Sequence, residues 1–69
     1  MDIAQCYKLL MVESTASDAD ISRAFRALAL RYHPDKNPHN REWANEQMTL
    51  INTAYSAVMS YRFKNESSA

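Results

Sequence analysis

The densest polar chemistry in this chain is the segment Tyr32-His33-Pro34-Asp35-Lys36-Asn37-Pro38, set between two stretches of helical apolar periodicity. His33 falls at the end of a predicted helix, where the terminal carbonyls favour a proton on the ring. Asp35 offers two acceptor oxygens, a shape that suits a bidentate arginine from another surface. Pro34 and Pro38 stiffen the segment, so it has little entropy to lose on docking. Taken alone, His-Pro-Asp is better explained as a simple turn. Its surroundings decide.

Just upstream, Arg23, Arg26, Leu30 and Arg31 fall on or beside the outer arc of the preceding helix, and Lys36 follows in the loop. Between Ser22 and Arg41 there are five basic residues and one acidic, inside a chain of eight basic and eight acidic residues overall. Such a local excess steers and orients an acidic partner more than it adds affinity. Isolated arginines are by default a solvated face; next to the tripeptide they are expected to touch a partner, Arg26 above all, with Leu30 as an apolar anchor. Arg31 lies nearest the core arc and could instead pair with a local acid. Cys6, His33 and His39 match no zinc spacing, so neither metal nor cofactor is expected, and no catalytic constellation marks an enzyme. Cys6 reads as a small core residue.

The elements that must carry these residues follow from composition and pattern. Sixty-nine residues allow one domain, expected to be monomeric, and 46% hydrophobic content supplies one small core. There is no glycine, which removes most of the prior for two-residue β-hairpins and phosphate-cradling loops. One cysteine cannot form an internal disulfide. With no long apolar run and no leader pattern, neither membrane nor secretion is expected, and the location expected is cytoplasmic. The neutral balance speaks against bulk nucleic-acid binding. The fold class is therefore all-α.

A first helix is expected from Asp2 to about Met11, with Ile3, Tyr7 and Leu10 on one face. Ser17, followed by Asp18 and Asp20, resembles a capping box that opens a second helix to Tyr32, and Pro34 ends it. Ile21, Ala24, Phe25, Leu28, Ala29 and Tyr32 share its core arc; Ser22, Arg23, Arg26, Ala27 and Leu30 lie opposite. Asn40 would cap a third helix, from about Arg41 to Tyr61, with Ala44, Met48, Ile51, Ala54, Tyr55 and Val58 inward. The last two pack best as an antiparallel hairpin with the first helix laid across. The domain is expected over 1–63, with 64–69 as a polar tail or linker.

Read together, Asp-Ile-x-x-Ala-Phe-Arg-x-Leu-Ala-Leu-Arg-Tyr-His-Pro-Asp-Lys-Asn-Pro (20–38), Tyr7-Lys8-Leu9-Leu10-Met11-Val12 and Ile51-Asn52-x-Ala54-Tyr55 closely resemble the J domain of the DnaJ co-chaperone family. The resemblance spans about Ile3 to Met59. It implies docking on a DnaK-type, seventy-kilodalton heat-shock chaperone and stimulation of its ATP hydrolysis, in support of protein folding. His33, Pro34 and Asp35 would carry the stimulation, and the basic face would carry recognition. A J-like adaptor without stimulation is the alternative; a helix-turn-helix nucleic-acid binder is disfavoured by the long loop. The chain departs from the family at Ser22 and Ala27, where basic residues are common, at Phe25 for tyrosine, and at Met11 for glycine. No fourth helix is recognisable after Met59, so that element is altered or absent.

Overall fold

The computed structural model of the chain describes residues 2–67, and within them three helices: α1 (Ile3–Leu9), α2 (Asp18–Tyr32) and α3 (Arg41–Ser67). A single 3-10 turn, Pro34–Lys36, sits between α2 and α3. The all-α class and the J-domain arrangement expected from the sequence are both present.

Each start has a side-chain cap or an acceptor. Asp2 Oδ1 accepts from the Gln5 amide at 2.8 Å, and Ser17 Oγ accepts from the Asp20 amide at 3.1 Å. Both satisfy amides that the first turn cannot pair internally, and Asp18 and Asp20 add charge where the helix dipole favours it. At the head of α3 the Asn40 carbonyl accepts from the Ala44 amide at 2.9 Å.

The end of α1 is more instructive. Met11 sits at φ 59°, in the left-handed region where a side chain is costly. Its amide donates to the Lys8 carbonyl at 3.0 Å, and the Val12 amide reaches the Tyr7 carbonyl at 3.1 Å. That pair of bonds is a Schellman motif, whose left-handed position glycine usually fills. The geometry is kept even though the residue is methionine. With Met11 spent on the turn, α1 stops at Leu9 rather than Met11.

α3 corrects the sequence reading in the other direction. It continues past Tyr61 to Ser67, so residues 64–67 are helix rather than tail, and the segment where a fourth helix was sought extends α3 instead. No proline or glycine interrupts Tyr61–Ser67, and polarity alone does not stop a helix. The tail's last two positions, 68 and 69, lie outside the described residues. Twenty-seven residues at about 1.5 Å each give a rod of about 40 Å, which sets the 47 Å long dimension of the molecule.

α2 and α3 run antiparallel: Tyr32 meets Trp43 near the loop, Phe25 stacks on Tyr55, and Asp18 meets Arg62 at the far end. The α1 backbone approaches α3 but not α2; its side chains reach the shared core. That core joins Cys6, Tyr7 and Leu10 to Ile21, Leu28, Ile51, Ala54 and Val58. Of the residues expected inward on α2 and α3, Ala24, Ala29, Tyr32 and Met48 are only half-buried, as are Phe25 and Tyr55. The Phe25 and Tyr55 rings stack at 4.5 Å on the flank of the helix pair and seal the core rather than fill it.

Ser22 also departs from its expected outward face. Its hydroxyl lies 2.9 Å from the Tyr55 hydroxyl, partly buried, because it sits at the edge of the arc that meets α3.

Candidate functional site

The tip that joins α2 to α3 is held by bonds made almost entirely within itself. His33 leaves the helical region (φ −61°, ψ 137°), as the residue before a proline must. Pro34 opens the 3-10 turn at a position that needs no amide hydrogen. The Lys36 amide then donates to the His33 carbonyl at 3.0 Å, and the Asn37 amide to the Pro34 carbonyl at 3.1 Å.

His33 does something its position alone did not suggest. Its Nδ1 accepts from the Asp35 amide at 3.1 Å, so the ring caps the turn that follows it. A ring nitrogen that accepts carries no hydrogen, which puts the imidazole proton on Nε2 in this geometry. The same Nδ1 lies 3.7 Å from Asp35 Oδ2. Beneath the turn, Asn37 Nδ2 donates to the carbonyls of Arg31 (3.0 Å) and His33 (2.9 Å). The Asp35 side chain is 83% exposed, so its carboxylate projects from a constrained backbone into solvent.

The basic residues expected beside the tip are all exposed: Arg23, Arg26 and Arg31 on α2, and Lys36 in the turn. Leu30 is 61% exposed among them. Arg23 lies 3.6 Å from Asp20, one helical turn back. Among the described residues no ion pair engages Arg26, Arg31 or Lys36, so the local pairing considered for Arg31 does not form. The face therefore carries unneutralised positive charge around an exposed leucine. Ser22 and Ala27 contribute none, and Ser22 is tied to Tyr55.

Trp43 packs edge-on against Tyr32 at 5.4 Å, closing the hairpin behind the tip. Asn52 is exposed on α3. Among the described residues no cluster of His, Cys, Asp or Glu could hold a metal, and Cys6 is buried in the core. No helix there is long and apolar enough to cross a membrane.

The opposite end of the molecule holds the residue the sequence did not single out. Arg62 donates through Nε to the Tyr7 hydroxyl (3.0 Å), through Nη1 to Asp18 (2.7 Å), and through Nη2 to the carbonyls of Ser14 (3.1 Å) and Ala16 (2.6 Å). Its guanidinium carbon lies 5.5 Å from the Tyr7 ring centre. The Tyr7 hydroxyl first, and then Asp18, hold its pKa above the usual arginine range, against the smaller opposing cost of burial. One side chain thus ties α3 to α1, to the α1–α2 connection and to the start of α2.

This arrangement, an antiparallel helical hairpin with a His-Pro-Asp tip and a short helix against its base, defines a J-domain fold. The family model of the DnaJ domain matches residues 5–66. The chain belongs to that family. Human DnaJ homolog subfamily B member 8 is 46% identical over 56 residues, covering 81% of this chain and 24% of that protein. The chaperone protein DnaJ of Clostridium tetani is 54% identical over 52 residues, covering 75% of this chain and 14% of that protein. The chain spans about a quarter or less of the length of these curated relatives. No solved structure matches it.

Proposed function

We propose that this domain is a non-enzymatic co-chaperone module that docks on a DnaK-type, seventy-kilodalton heat-shock chaperone and stimulates its ATP hydrolysis through His33-Pro34-Asp35. The observation that carries the reading is the exposed Asp35 carboxylate, held on a turn capped from both sides and set beside an unneutralised basic face. Arg26, Arg31 and Lys36 would orient an acidic partner surface, with Leu30 packing among them. Asp35 would accept charge-assisted bonds from a cationic group of the partner. The domain adds no catalytic group of its own. It can act only by binding one conformational state of the partner more tightly than another.

The test is single-turnover ATP hydrolysis by a DnaK-type chaperone with saturating wild-type or Asp35→Asn domain. Removing one member of a buried interfacial charge pair commonly costs about 2–5 kcal/mol, so stimulation should fall toward the basal rate while Tm stays unchanged. Equal acceleration by the two proteins would rule the mechanism out. No acceleration by either protein would instead favour a J-like adaptor that docks without stimulating, a reading supported by the uncharged Ser22, bonded to Tyr55, and the uncharged Ala27 on α2.

A further inference from the structure

We propose that Asn37 is a positioning residue: its side-chain amide fixes the direction in which Asp35 is presented, by supplying a helix-end hydrogen bond that the Asp35 amide gives up. The inference rests on the reading of the tip as the stimulating element. It begins with the carbonyls at the end of α2, which have no partner within the helix.

Were α2 to continue, the amides of residues 34, 35 and 36 would donate to the carbonyls of Leu30, Arg31 and Tyr32. None does so. Pro34 has no amide hydrogen. The Asp35 amide is turned to His33 Nδ1, and the Lys36 amide to the His33 carbonyl. The Arg31 carbonyl thereby loses its donor, and Asn37 Nδ2 takes that place at 3.0 Å while also binding the His33 carbonyl at 2.9 Å. Two carbonyl neighbours settle which end of this amide is nitrogen.

Both hydrogens of one NH2 group are used, and this is why asparagine suits the position. Aspartate has the same shape but would turn an acceptor toward two acceptors. Serine has a single donor. Asn37 is half-buried under the turn, while Asp35 is turned out to solvent. Their side chains face opposite ways, so Asn37 acts on the partner through Asp35. If the amide lets go, the Arg31 and His33 carbonyls lose this shared donor, the turn that carries the His33 cap loosens, and the carboxylate samples a wider range of directions.

The experiment compares wild type, Asn37→Asp, Asn37→Ser and Asp35→Asn in stimulation of a DnaK-type chaperone over a range of domain concentrations. Hydrogen exchange at the Asp35 amide and the Tm of each variant are measured alongside. Losing both bonds should lower maximal stimulation about tenfold in Asn37→Asp and less in Asn37→Ser. The concentration for half-maximal effect in Asn37→Ser should stay within about twofold, since serine adds no charge to the basic face. Asp35 amide exchange should speed up about tenfold in Asn37→Asp, with α2 amides unchanged. If wild type and Asp35→Asn stimulate alike, the stimulating-tip reading fails first. If Asp35→Asn loses stimulation while Asn37→Asp keeps the full maximum, at any concentration, the positioning role is overturned by itself. Unchanged Asp35 exchange in Asn37→Asp would overturn it as well.

Discussion

The two ends of the hairpin are held by opposite means. At the tip, the bonds that shape His33–Asn40 are short in sequence and made largely through the backbone, and they leave the charged side chains free. At the base, Arg62 gathers four acceptors that lie 44 to 55 residues away and commits its charge to them. A site meant for a partner must keep its charges unpaired and hold them still by other groups. A structural clasp spends its charge internally, where a guanidinium's several donors can be matched together. The same residue chemistry is left exposed on α2 and is spent on fastening at Arg62.

Breaking the clasp tests this contrast most strongly. Arg62→Ala leaves the Tyr7 hydroxyl and the Asp18 carboxylate without their cation, and the Ser14 and Ala16 carbonyls without their donor. Bonds to a charged donor are worth about 1.5–3 kcal/mol each in favourable cases, but Asp18 is half in solvent, so a total loss of about 2–3 kcal/mol is expected. Tm should drop by about 10–20 °C in a domain of this size. Chaperone stimulation per folded molecule should be unchanged. A normal Tm would remove Arg62 from its structural role, and lost stimulation in the folded protein would erase the division between the ends.

A smaller effect of opposite sign is expected at the close of α1. Met11→Gly relieves the left-handed strain but makes the unfolded chain more flexible, for a net gain of about 1 kcal/mol. Chemical denaturation should show a higher midpoint with an unchanged slope; a lower midpoint would mean that the methionine side chain supports the turn. The smallest effect belongs to the recognition face. Arg26→Ala should weaken chaperone binding a few-fold at low salt, and the difference should shrink as salt screens exposed charge. A salt-independent loss would show that Arg26 is desolvated in the complex.

Much of this molecule is written in local signals. α2 runs from Asp18 to Tyr32 because Ser17 caps one end and Pro34 forbids the other, and both are visible in sequence. The inward arcs of α2 and α3 follow from helical periodicity, and the His33-Pro34-Asp35 tip from its spacing between them. What escaped did so for different reasons. Arg62 meets its partners only after three segments have come together, and no short window encodes that. The end of α3 carries no breaker, so its polar composition passed for a tail. Ser22 sits at the margin of an arc, where a small helical rotation decides between solvent and Tyr55. Asn37 works on carbonyls, which every residue has, so its sequence neighbours give no hint of its two bonds.

Cys6 has a consequence for watching this protein move. It is the chain's single cysteine, its surface is 1% exposed, and it rides on the short helix whose backbone rests on α3 alone. A thiol reagent can therefore reach its sulfur only when α1 lifts away or the whole domain opens. The modification rate, compared with the stability from denaturant titration, separates those two events, because local opening takes less free energy than global unfolding. The native chain thus contains its own reporter of breathing at the base.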